Sequence, residues 1–102
     1  MRFDIITIFP GMFGSVFEES LIKKAREADI LDIQINDLRN FTLDKHRKVD
    51  DYPFGGGVGM ILTPGPIVRT LEAVKPKNPD ARTILLSPSG SQFNQKKAWE
   101  LS

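Results

Sequence analysis

Between Phe54 and Met60 the chain reads Phe54-Gly55-Gly56-Gly57-Val58-Gly59-Met60, with four glycines in five positions. Glycine has no Cβ, so this backbone reaches positive φ and admits another surface to close contact. Ordering such a run costs more conformational entropy than ordering other residues, so a fold that keeps it gains something from bare backbone. Directly upstream stands Asp44-Lys45-His46-Arg47-Lys48-Val49-Asp50-Asp51-Tyr52-Pro53, dense in charge and holding the only histidine. Together these residues read as a binding loop for an anionic or planar partner.

The glycine run is neither of two familiar phosphate loops. No lysine followed by Ser or Thr comes after it, as a Walker loop requires, and the spacing of the dinucleotide fingerprint breaks at Met60. His46, near Asp50 and Asp51, has the residue types of a general base with an orienting carboxylate, or of part of a metal site. A solvated loop histidine is the plainer reading, and no second histidine exists to extend a metal set. Lys45, Arg47 and Lys48 offer positive charge to phosphates, or form only a solvated face. Phe41, Tyr52 and Phe54 are candidates to stack on a nucleobase, or to anchor the loop to the core. Pattern alone leaves two classes of function: an enzyme of nucleotide or RNA chemistry, and a noncatalytic RNA-binding or dimerisation module.

The elements that must hold this loop follow from hydrophobic pattern. Arg2 to Phe9 is β-branched and aromatic and stops at Pro10-Gly11, which predicts a strand and a turn. Met12, Phe13, Val16, Phe17, Leu21 and Ala25 recur at helical spacing, in one bent helix or two short ones, and are expected to pack in the core. Ser15 with Glu18 has capping-box form, and Ser20 offers a second start. Ile30 to Asn36 alternates as a second strand. Asp37 to Pro53 has no sustained period and reads as a long surface loop, of the length that tends to be functional. A helix is predicted from Pro66, with Ile67, Val68, Leu71 and Val74 on its apolar stripe, closing at Lys75-Pro76. Arg82 to Ser87 is nearly unbroken in apolar character, as expected of a strand covered on both faces. Pro88 to Ser91 turns the chain, and Asn94 to Leu101 begins a last helix, with Trp99 a packing residue.

Strands alternating with helices predict an α/β fold with a mainly parallel sheet. Ligands of such sheets lie beyond the C-terminal strand ends, where the turn Ser87-Pro88-Ser89-Gly90 falls and where the glycine loop is a second candidate. The chain stops inside its last predicted helix. A three-stranded parallel sheet would also leave an edge that natural proteins usually cover, so a longer domain is expected.

With 102 residues the chain forms one domain, residues 1–102, with a modest core. A formal net charge of +1 gives no global pull toward nucleic acid or membrane, so any attraction for phosphate must be local. The absence of cysteine excludes disulfides and thiolate metal sites and fits a cytoplasmic protein. The N-terminal apolar run, broken by Asp4 and Pro10, is too short and polar for a signal peptide or membrane span.

Four blocks in order carry a more specific signal than the glycines alone. They are Ile8-Phe9-Pro10-Gly11-Met12-Phe13, Leu38-Arg39-Asn40-Phe41-Thr42, the run from Asp44 through Met60, and Leu86-Ser87-Pro88-Ser89-Gly90. Over its whole length the chain resembles the N-terminal part of the bacterial tRNA (guanine-N1)-methyltransferases, of the SPOUT (trefoil-knot) class. The resemblance implies methyl transfer from S-adenosyl-L-methionine to N1 of the guanine 3′ of the tRNA anticodon. It also implies a homodimer with each active site built across the subunit interface. By resemblance, Leu85, Leu86, Ser87 and Pro88 form the first edge of the cofactor pocket. His46, Asp50, Gly55, Gly56, Gly57, Val58, Gly59 and Met60 belong to the substrate-side loop. The chain departs from the family pattern at Val58, where proline is common, at Phe54, where tyrosine is common, and at Leu85, where an aromatic residue is common. The resemblance further implies that the knotted loops, the catalytic aspartate and arginine and a C-terminal tRNA-binding domain lie beyond these residues. No catalytic residue is therefore expected in the segment, His46 included, and the segment alone is expected to be inactive.

Overall fold

The computed structural model describes residues Met1–Ser102. The first β-branched run forms β1 (Arg2–Thr7), and the alternating run forms β2 (Asp32–Asp37). They pair in parallel, in register from Arg2 opposite Asp32 to Thr7 opposite Asp37. A parallel pair needs a crossover, supplied here by a 3-10 turn (Pro10–Met12), α1 (Gly14–Phe17) and α2 (Ser20–Glu27). The α/β class with a parallel pair is thus observed.

An ionic lock ties this pair together near its start. Arg2 donates from Nε to Asp4 Oδ2 at 2.8 Å and from Nη2 to Oδ1 at 3.0 Å. Asn36 of β2 donates to Asp4 Oδ1 at 3.5 Å, and Arg2 reaches Asp32 at 3.7 Å. The hydrogen bond from Arg2 holds the Asp4 carboxyl below its ordinary 3.8, against the upward push of partial burial. Ionised Asp4 therefore stabilises the fold above that ordinary value, and the contribution is lost as pH falls through the lower folded value. In urea unfolding, Asp4→Asn is expected to be less stable than wild type near neutral pH, with the gap closing toward about pH 2. A gap that stays constant across that range would remove the lock from the account.

The core lies where α3 (Pro64–Val74) packs on a 3-10 turn (Leu38–Phe41) that follows β2 directly. Its buried residues are Leu38, Val49, Pro66, Thr70 and Val74. The hydroxyl of fully buried Thr70 donates to the Pro66 carbonyl at 2.8 Å, so no polar group is stranded there. The helix begins two residues before Pro66. Pro64 takes the first position, where a missing N–H costs nothing, and Pro66 still falls in the first turn, where no N–H is needed.

Five expectations are corrected by this structure. Asp37 to Pro53 is not one structureless loop. It holds the 3-10 turn and β3 (Asp50–Asp51), which pairs antiparallel with β4 (Ile61–Leu62). Leu38 and Val49, two isolated apolar residues without a period to reveal them, are its buried anchors. Arg82–Ser87 is not a strand, because a strand exists only against a partner and none of these residues pairs with it. Instead Arg82 donates to the Glu100 carbonyl at 3.1 Å, tying this run to α4 (Gln95–Leu101). The helical stripe is not core. Met12, Val16 and Leu21 are exposed because no element of the chain packs closely over them, and only Phe13 and Phe17 stack on each other, at 5.8 Å. The capping box does not form, since Ser15 lies inside α1 and neither α1 nor α2 has a side-chain cap. Trp99 is exposed on α4, whereas Asn94 caps that helix by accepting from the Lys97 N–H at 2.9 Å. No helix is long and apolar enough to cross a membrane.

Candidate functional site

The loop carrying the glycines leaves from the C-terminal end of β2, the end at which parallel sheets hold ligands. Its stem is built by side chains that grip backbone carbonyls. Asp37 accepts from the Arg39 N–H at 2.9 Å, and Arg39 donates across to the Ile8 carbonyl after β1. Thr42 Oγ1 donates back to the Arg39 carbonyl at 3.0 Å. On the return, the N–H and hydroxyl of Thr63 both donate to the Val49 carbonyl, at 2.8 and 3.1 Å. The β3–β4 pair closes the stem between these two grips.

Beyond the stem, residues 52–60 form a tip whose side chains are largely exposed. Pro53 accepts from the Gly56 N–H at 3.2 Å, making a turn around Phe54 and Gly55. Gly55, Gly56 and Gly59 have φ of 90°, 79° and 95°, the left-handed side that side chains resist. Gly57 does not. A Cβ there would lie 3.8 Å from Pro53 Cγ, an ordinary contact. Phe54 and Val58 are fully exposed, Tyr52 largely so, and Met60 about half.

The charged residues divide in a way that pattern could not show. Arg47, at positive φ and exposed, donates to the Arg39 carbonyl at 3.3 Å and to Asn40 Oδ1, and lies 3.9 Å from Asp37. Lys48 pairs with Asp51 at 3.4 Å, and its N–H bonds to Asp44 at 3.0 Å. Asp51 also accepts from the Tyr52 N–H at 2.8 Å. That bond first, and Lys48 second, holds its carboxyl below the ordinary 3.8. Of the three cations read as phosphate candidates, Arg47 and Lys48 thus brace the loop, and Lys45 is left without an ion pair beside exposed His46. His46 forms no hydrogen bond to Asp50 or Asp51, so a base with an orienting carboxylate is not assembled. Half-buried Asp50 lines a concavity of about 330 Å³ between stem and α3, with Asp44, Lys48, Asp51, Thr63 and Arg69.

The second candidate segment lies outside any helix or strand. Leu85 and Leu86 are 85% and 90% exposed, and the backbone N–H and C=O groups of residues 82–86 make no hydrogen bond within the chain. The chain then turns at Ser87, whose carbonyl accepts from the Gly90 N–H at 3.1 Å and whose hydroxyl lies 2.9 Å from that of Ser89. Apolar side chains beside unpaired backbone donors and acceptors are the chemistry that recognises a heterocycle edge-on. Leu85, Leu86, Ser87 and Pro88 thus present apolar surface and open backbone groups to whatever lies against them. No hydrogen bond or ion pair joins this segment to residues 52–60.

Arg69 escaped the sequence reading. Its Nε donates to the Phe41 carbonyl at 2.6 Å, where the loop departs from the 3-10 turn. The one sequence signal pointing to it is Gly65, a turn earlier on α3, where a Cβ would lie 3.3 Å from Arg69 Nη1.

The whole chain, residues 1–102, matches the family model described as tRNA (guanine-1)-methyltransferase TrmD. It is 53% identical over 102 residues to a tRNA (guanine-N(1)-)-methyltransferase of Geobacillus kaustophilus, covering 100% of this chain and 42% of that relative. It is 52% identical over 102 residues to the protein of the same name in Dictyoglomus turgidum, covering 100% of this chain and 41% of that one. The fold is similar to the crystal structure of a tRNA (m1G37) methyltransferase from Aquifex aeolicus. The TM-score is 0.88 and the identity 33%, over 99% of this chain and 45% of that chain. The chain thus spans about two-fifths of the length of the curated relatives it matches.

Proposed function

Because the chain belongs to the tRNA (guanine-1)-methyltransferase family, we propose that the full-length protein methylates N1 of the guanine 3′ of the tRNA anticodon. S-adenosyl-L-methionine would supply an electrophilic methyl group on a sulfonium centre, and Leu85–Pro88 would hold its adenosine by apolar contact and backbone hydrogen bonds. The loop formed by His46, Asp50 and Gly55 to Met60 receives the guanine. Bare backbone lets the flat base approach closely, and Lys45 and His46 are free to meet flanking phosphate. The N1 proton must leave as the methyl arrives. By the family resemblance it goes to an aspartate expected outside residues 1–102.

A homodimer in the cytoplasm, with the site shared across subunits, belongs to the same reading. Support comes from the apolar surface left open on Met12, Val16, Leu21, Leu85 and Leu86, which such a pairing or further chain would cover. The observation that carries the proposal is the loop geometry: three left-handed glycines held out from a braced stem at the ligand end of a parallel pair.

The test is methyl transfer by the full-length protein to a tRNA transcript, read by nucleoside mass spectrometry and by the primer-extension stop that an N1-methyl group imposes. One N1-methylguanine beside the anticodon is expected. Binding of tRNA without methylation would favour the noncatalytic module instead.

A further inference from the structure

The tip that would receive the guanine has no anchor of its own, so its position is inherited from the stem. From outside the loop, two residues grip that stem at carbonyls: Thr63 at Val49 and Arg69 at Phe41. Thr63 adjoins β4 and moves with the return strand. Arg69 is different, because it reaches from the body of α3, the helix that packs against the core.

We propose that Arg69 is a positioning residue for the reaction, fixing the Phe41 carbonyl so that the glycine-rich tip is held at the height where guanine is received. This rests on the functional reading above. Arg69 forms no ion pair, although Asp44, Asp50 and Asp51 line the same concavity. Its charge is therefore spent on a carbonyl rather than a carboxylate, and a charge-assisted hydrogen bond is roughly twice as strong as a neutral one. Gly65 leaves room beside the guanidinium, and a Cβ there would press on its Nη1 at 3.3 Å, asking for a shift of a few tenths of an ångström. Arg69 is half-buried and its bond to Phe41 is partly shielded, so water competes for that carbonyl less than at an open surface.

The experiment compares Arg69→Met, Arg69→Lys and Gly65→Ala with wild type in the full-length protein. Arg69→Met keeps the aliphatic stem and removes the donor. Its kcat/KM on tRNA is expected to fall about tenfold or more, the worth of one charged hydrogen bond. Affinity for S-adenosyl-L-methionine is expected to stay within about twofold, because the grip touches only the guanine side. Tryptic nicking after Lys45 should quicken, reporting a loosened stem. Arg69→Lys restores a donor and should recover most of the rate, and Gly65→Ala should lose rate in the same direction as Arg69→Met.

Wild-type kinetics in Arg69→Met would overturn the proposal alone. So would a parallel loss of tRNA use, donor affinity and Tm, which marks a merely structural arginine. Should Arg69→Met fail to fold, Gly65→Ala carries the decision, and unchanged kinetics there would overturn the proposal. A wild-type protein that never methylates guanine N1 overturns the functional reading, and this proposal with it.

Discussion

The 102-residue segment, expressed alone, is expected to transfer no methyl group to tRNA. Ligand pockets bury most of a bound molecule, and the wall assigned to the donor is open: Leu85 and Leu86 are 85% and 90% exposed. The backbone of residues 82–86 makes no hydrogen bond within the chain, so the groups proposed to read adenosine stand open to solvent. By the family resemblance, the group that takes the N1 proton lies outside the segment as well. His46 is exposed and unbonded, and Asp51 is committed to the Tyr52 N–H and Lys48. Labelled methyl groups counted in tRNA, against a blank without protein, make the measurement. Counts above that blank would mean that these residues complete a donor site, contrary to the geometry described.

The second large effect separates the glycines from one another. In the full-length protein, Gly59→Val is expected to lower kcat/KM on tRNA about 100-fold. A β-branched residue at φ of 95° is strained by roughly 1–3 kcal/mol, and each 1.36 kcal/mol is tenfold in rate. The strain can be relieved only by moving the tip. Gly57→Ala is the informative partner, because its Cβ meets Pro53 at an ordinary 3.8 Å and its backbone is unstrained. The variant should fold as wild type does. A loss of rate in Gly57→Ala, with donor affinity unchanged, then reports a base lying against that bare backbone. Equal losses of tRNA use and donor affinity in both variants would place the glycines elsewhere in the mechanism.

Where structure is local, the sequence was readable. The β-branched run of Arg2–Thr7, the alternation of Asp32–Asp37 and the stripe of α3 each write their element in their own residues. Arg82–Ser87 carries an equally clear strand pattern and is not a strand, because a ladder is a relation between two segments and pattern describes one. The same limit hid Leu38 and Val49. Each is a single apolar residue in a polar stretch, buried by what packs over it.

The candidate site divides in the same way. That four glycines make bare backbone is visible in composition. That Gly55, Gly56 and Gly59 need it while Gly57 does not is a property of dihedral angles. Lys45, Arg47 and Lys48 look alike in sequence, and only the fold engages Arg47 and Lys48 as braces along the loop surface. Arg69 lies far along the chain from the carbonyl it grips, so no local pattern connects them.

Photocrosslinking tests the central claim most directly. A tRNA whose target guanine is replaced by 6-thioguanine is irradiated on the full-length protein with a non-transferable donor analogue bound, and the attached peptide is sequenced. Attachment within residues 52–60 is the predicted result. Attachment confined to other parts of the protein, with the glycine tip unmarked, would contradict the assignment of that tip as the seat of the guanine.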